Sequence, residues 1–78
     1  MDIFTVLAEP TRREILTHLQ GCSCSVNELA DALEISQPTM SKHLKVLREA
    51  GFLSCSVAAQ QRIYQLEADP FRELAVWL

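Results

Sequence analysis

A chain of 78 residues with formal charge −3 is a single small domain. Folding removes only about 60% of the surface that such a chain exposes when unfolded, so a partner subunit, metal or disulfide would matter to its stability. With 49% apolar and 22% charged residues, the composition is globular rather than disordered, and no apolar run approaches the roughly 18 residues of a membrane span.

The opening MDIFTVLAEPTRRE has no basic leader before an apolar core, so no signal peptide is expected and the cytoplasm is the expected compartment. Residues 2–8 form a short apolar helix that must stop before Pro10, because a residue preceding proline avoids the helical region. Pro10 suits the first position of a second helix, PTRREILTHLQ. There Ile15 and Leu19 share a face with Leu16 beside them, Arg12, Arg13 and Gln20 point outward, and Gly21 is the expected stop.

Ser25-Val-Asn-Glu28 has the spacing of a capping box, ahead of a helix over 26–33 that buries Val26, Leu29, Ala30 and Leu33. Ser36 caps the next helix, which runs through Ala50 and ends at Gly51. Met40, Leu44, Leu47 and Ala50 form its buried stripe, with Val46 flanking. After Gly51 the period changes from helical to alternating. FLSCSV and RIYQL predict the two strands of a hairpin, with Leu53, Cys55 and Val57 on one side and Ser54 and Ser56 on the other. Asp69-Pro70 predicts the cap of a final helix over 70–78, with Phe71, Leu74, Ala75 and Leu78 on one face. Two short helices joined by a tight turn and followed by a hairpin make a winged helix-turn-helix: a mainly α fold with a small β-hairpin, over residues 1–78.

The stretch SQPTMSKHLKVLREAGF gathers Lys42, His43, Lys45 and Arg48 on one helix of an acidic protein. The pI near 5.2 argues against binding polyanions with the whole surface, but screening confines distant acids to a reach of about 8–10 Å. Together with EPTRREILTHL, SVNELADALEI and QRIYQL, this stretch resembles the ArsR-type (ArsR/SmtB-like) family of winged-helix transcriptional repressors over essentially the whole chain. The resemblance implies a homodimer that places the helix at 36–50 in the DNA major groove and pairs through its first and last helices. In many such proteins a metal, metalloid or oxidant acts on cysteines to release DNA.

The expected DNA-binding residues are Ser36, Gln37, Thr39, Ser41, Lys42, His43 and Lys45 on the helix and Arg62 on the wing. Short polar side chains in the first helical turns can reach phosphates or base edges, and the helix N-terminus adds partial positive charge. Arg48 is better placed for the DNA backbone than for base reading. The wing, at 52–66, departs from the Gly- and Arg-rich pattern of the family. Its tip, Val57-Ala58-Ala59-Gln60-Gln61, lacks glycine and is expected to need more than a two-residue loop. Ile3, Phe4, Leu7, Phe71, Leu74, Trp77 and Leu78 are the expected dimer interface, since two short helices carry more large hydrophobes than one small domain hides. The alternative is that they complete a monomer core.

Cys22, Cys24 and Cys55 are an odd count, expected to stay reduced in the cytosol. In many winged helices the segment before the third helix runs beside the hairpin. Cys22 and Cys24 would then point toward the sheet region holding Cys55, and a thiol-based metalloid or redox sensor is one reading. Against it, the positions matching the family's arsenic-sensing cysteines are Ser25 and Asn27, no histidine follows His43, and only His18 offers itself as a fourth ligand. Buried free cysteine as a small hydrophobe is the favoured reading, with no cofactor. No nucleophile elbow, phosphate loop or paired carboxylates point to an enzyme. A winged-helix module that binds protein rather than DNA is the remaining alternative.

Overall fold

In a computed structural model of the chain, residues 2–67, 71, 72, 75 and 76 are described. The elements among the described residues follow in the order α1 (Ile3–Leu7), α2 (Pro10–His18), β1 (Cys24–Ser25), α3 (Val26–Leu33), α4 (Gln37–Glu49), β2 (Leu53–Ala58) and β3 (Gln61–Leu66), and residues 71, 72, 75 and 76 are helical. The predicted cap at Asp69-Pro70 and the positions of Leu74, Trp77 and Leu78 lie outside the described residues.

Local chemistry explains the helix ends. Asp2 caps α1 by accepting from the Thr5 amide at 2.8 Å, and Pro10 occupies the first turn of α2. Arg12 and Arg13 do not simply point outward, as their spacing suggested. Arg12 donates to the Val6 carbonyl at 3.3 Å and Arg13 to the Leu7 carbonyl at 2.6 Å, so α2 satisfies carbonyls that the short α1 leaves without helical donors. Arg12 is half-buried as a result. The expected capping box is present in both directions: the Glu28 amide donates to Ser25 Oγ at 3.2 Å, and the Ser25 amide to Glu28 Oε1 at 3.0 Å.

Gly21, the expected stop of α2, is not in the left-handed region, and an added Cβ there meets nothing within 4 Å. The left-handed positions that end helices are Glu34 (φ 55°) after α3 and Gly51 (φ 86°) after α4. At Glu34 the chain reverses within three residues. The Ile35 amide donates back to the Ala30 carbonyl at 3.0 Å, and Ser36 then caps α4.

Val6, Ile15, Leu29, Met40, Leu44, Leu47 and Phe52 are completely buried and form one core with Leu16, Leu19, Leu53 and Tyr64. The Phe71 ring packs edge-on against Phe52, centroids 5.3 Å apart at 63°, in the geometry that aromatic quadrupoles favour. The sheet is antiparallel with order β1-β3-β2. Leu53 is buried, Cys55 half-buried and Val57 73% exposed, so β2 leaves the body of the domain as it runs toward the tip.

That tip corrects the expectation of a longer loop. Ala58 pairs with Gln61, leaving a two-residue turn of Ala59 (φ 49°) and Gln60 (φ 66°). Two consecutive positive φ values are the mark of a type I′ turn, whose twist matches the strands it joins. Neither residue has the intrinsic preference for that region that Gly or Asn would bring. The hairpin ladder holds them there.

Candidate nucleic-acid interface

The candidate surface on α4 is built from the helix's buried stripe outward. Met40, Leu44 and Leu47 are fully buried, which fixes the rotation of α4 about its axis. At about 100° per residue, Gln37, Ser41, Lys45 and Arg48 then form a continuous stripe at the edge of the exposed face, and Lys42 stands beside it. All five side chains are exposed.

On β3 the alternation that turns Tyr64 and Leu66 into the core aims Arg62 to the same face of the sheet. Beyond the body of the domain that face overlooks α4. The result is a groove of about 750 Å³ between helix and hairpin, lined by Ser41, Lys45, Arg48, Glu49, Arg62 and Tyr64, with Val26 at its base. Lys42, Lys45, Arg48 and Arg62 are four of the seven Lys and Arg in the chain. No carboxylate is ion-paired with any of them among the described residues, so their charge is available to an incoming anion.

The remaining expected contacts divide by geometry. Ser36 Oγ accepts from the Thr39 amide at 3.4 Å and donates to Thr39 Oγ1 at 3.0 Å, so these two hydroxyls serve first as the cap of α4. His43 is half-buried and sits roughly 160° around the helix from Lys45, on the opposite flank from the groove. Arg48, set aside as a base reader, belongs fully to the groove. Its spacing from Ser41 and Lys45 (i, i+4, i+7) was the available signal.

The three cysteines do not converge. Cys24 pairs across to Tyr64, and Tyr64 to Cys55, so a whole strand separates Cys24 from Cys55, about 10 Å at the usual strand spacing. Cys22 instead approaches Cys24, with sulfurs 3.0 Å apart, and His18 joins that pair. Burial, and then the contact with Cys22, pushes the Cys24 thiol up to about 12.

Residues 7–56 match the family described as Helix-turn-helix domain. The chain is 30% identical over 77 residues to the transcriptional repressor SdpR of Bacillus subtilis, covering 99% of this chain and 86% of that protein. It superposes on the crystal structure of an ArsR family transcriptional regulator with a TM-score of 0.86 at 32% identity, over 96% of this chain and 77% of the other. The chain belongs to the ArsR family of transcriptional regulators.

Other similar proteins agree. The arsenic resistance transcriptional regulator ArsR1 of Pseudomonas putida is 42% identical over 69 residues, 86% of this chain and 53% of that protein. Reduced HlyU of Vibrio cholerae has the same fold, with a TM-score of 0.82 at 31% identity over 95% of this chain and 79% of the other. The chain spans about half the length of several of its curated relatives. The ArsR family is one of DNA-binding regulators, not enzymes. No helix among the described residues is long and apolar enough to cross a membrane.

Proposed function

We propose that this ArsR-family chain binds double-stranded operator DNA as a homodimeric repressor. The stripe of α4 from Gln37 to Lys45 would enter the major groove, and the hairpin tip would lie along the flanking backbone. The observation that carries this reading is the groove in which Lys45, Arg48 and Arg62 converge, without ion-pair partners among the described residues, on a protein of net negative charge. A phosphate strand passing between recognition helix and wing neutralises those cations. Gln37 and Ser41, at the N-terminal end of the same stripe, are then the side chains nearest base edges.

Two-fold pairing would set two such helices about one DNA turn apart. Support for pairing comes from α1, where Phe4 remains 58% exposed although it lies on an otherwise apolar helix.

The test is a fluorescence anisotropy titration of promoter DNA from the protein's own operon at two salt concentrations. It compares the wild type with the Lys42→Ala/Lys45→Ala variant. Salt-sensitive binding that the double variant loses supports the reading. Absence of binding at any salt, from a dimeric and folded protein, moves the surface to a protein partner.

A further inference from the structure

The turn between α2 and β1 assembles three soft donor side chains outside the DNA-facing surface. His18 is the last residue of α2, Cys22 follows the turn, and Cys24 opens β1. Their ligand atoms, one imidazole nitrogen and two sulfurs, lie within 4.8 Å of one another. Tetrahedral zinc, with about 2.3 Å to sulfur and about 2.0–2.1 Å to nitrogen, needs its donors roughly 3.5–4 Å apart. The cluster is therefore one side-chain adjustment from coordination. Cys22 and His18 are exposed and can make that adjustment, whereas Cys24 is buried and fixed by its pairing with Tyr64.

The electrostatics favour a cation there. His18 ends α2, where helix carbonyls carry partial negative charge. The carboxylate of Glu28 lies close enough to act on both His18 and Cys24, yet it is engaged with the Ser25 amide at 3.0 Å. It contributes charge without becoming a ligand.

We propose that His18, Cys22 and Cys24 form a binding site for a thiophilic d10 metal ion of the Zn²⁺ or Cd²⁺ class, with its fourth position open to water or an added ligand. Cys55 takes no part. Binding is ligand and proton exchange without redox change: two sulfur–metal bonds and one nitrogen–metal bond replace bonds to the ion's water ligands, and the thiol protons pass to solvent. An ion at this point would tie the end of α2 to β1, one residue before the Ser25 cap of α3.

The test uses the reduced, metal-free full chain titrated with Cd²⁺, read by the ultraviolet thiolate-to-metal charge-transfer band. It involves no DNA, so its failure leaves the operator-binding reading untouched. One ion per chain is expected, with the band of two thiolates, unchanged in Cys55→Ser. Cys22→Ser should lose at least tenfold in affinity and half the band, and His18→Gln should lose about tenfold with the band kept. Both substituted side chains are exposed, so the fold is retained, and circular dichroism checks this. Excess Zn²⁺ should raise the melting temperature of wild type and Cys55→Ser by more than that of Cys22→Ser. Wild-type affinity in Cys22→Ser, loss of the site in Cys55→Ser, or no band at all would each overturn the assignment.

Discussion

Lys45 of α4 and Arg62 of β3 line one groove, although one belongs to a helix and the other to the hairpin that follows it. A single strand of phosphates can thus meet both. Replacing either by alanine is expected to weaken binding about equally on all DNA sequences and to lower the salt slope by about 1 for each phosphate left without its cation. Gln37→Ala should behave differently, costing about 1–3 kcal/mol on the preferred operator and little on unrelated DNA. Anisotropy titrations across a salt series, on operator and scrambled duplexes, separate the two patterns. A salt slope unchanged in both Lys45→Ala and Arg62→Ala would remove the groove from the interface.

The wing tip is a place where the chain can be made more stable. Ala59 and Gln60 hold positive φ values that cost an L-residue roughly 1–2 kcal/mol each relative to the right-handed region. Ala59→Asn with Gln60→Gly supplies the residues that a type I′ turn favours. The pair should stabilise the domain by about 1 kcal/mol, raising the melting temperature by about 4–8 °C for a domain of this size. A drop in the urea midpoint of the double variant would mean that the turn is not of this type.

What could be read from the sequence was whatever rests on local spacing. Ser25 and Glu28 announce a capping box because its reciprocal bonds need only residues three apart, and Met40, Leu44 and Leu47 announce the rotation of α4 by their period. The turn at Ala59-Gln60 was hidden because neither residue prefers the conformation it adopts. The two-residue β1 carries too little pattern to identify by period; a segment beside the hairpin was expected there only from winged helices in general, and its pairing with β3 rather than β2 is decided by tertiary packing. That pairing separates Cys24 from Cys55 and leaves Cys22 and His18 as the neighbours of Cys24. His43 was grouped with the lysines by proximity in sequence, whereas helical rotation carries it to the other flank.

The capping box predicts both a loss on mutation and a response to acid. Ser25→Ala removes the acceptor of the Glu28 amide and should cost about 1 kcal/mol. The Glu28 carboxyl is lowered, chiefly by the hydrogen bond from the Ser25 amide, and Asp2 is lowered chiefly by the Thr5 amide. A carboxyl depressed in the folded state stabilises the protein above its unfolded value, and the contribution is lost as pH falls through the lower folded value. For Glu28 this loss begins near 4.5. Glu28→Gln keeps an acceptor for the Ser25 amide but cannot titrate, so its urea midpoint should fall less steeply below that pH. Parallel acid profiles would show that the bond has no bearing on acid stability.

Phe4 and Phe71, grouped by sequence as interface residues, are expected to separate under mutation. Phe71 is half-buried and packs its ring on the fully buried Phe52, so it contributes to the core of the single chain. Phe71→Ala should destabilise the domain by about 1–3 kcal/mol, because apolar area returns to water and the edge-on ring pair is broken. Phe4 is 58% exposed, while Val6 supplies the fully buried side chain of α1. Phe4→Asp should therefore leave the melting temperature at high protein concentration within a few degrees of wild type. If α1 pairs with a second copy, the same change places a carboxylate in the apolar seam and should weaken association at least tenfold. Sedimentation equilibrium over a range of concentrations reads this directly. A mass that matches the wild type at every concentration would move the dimer seam away from α1.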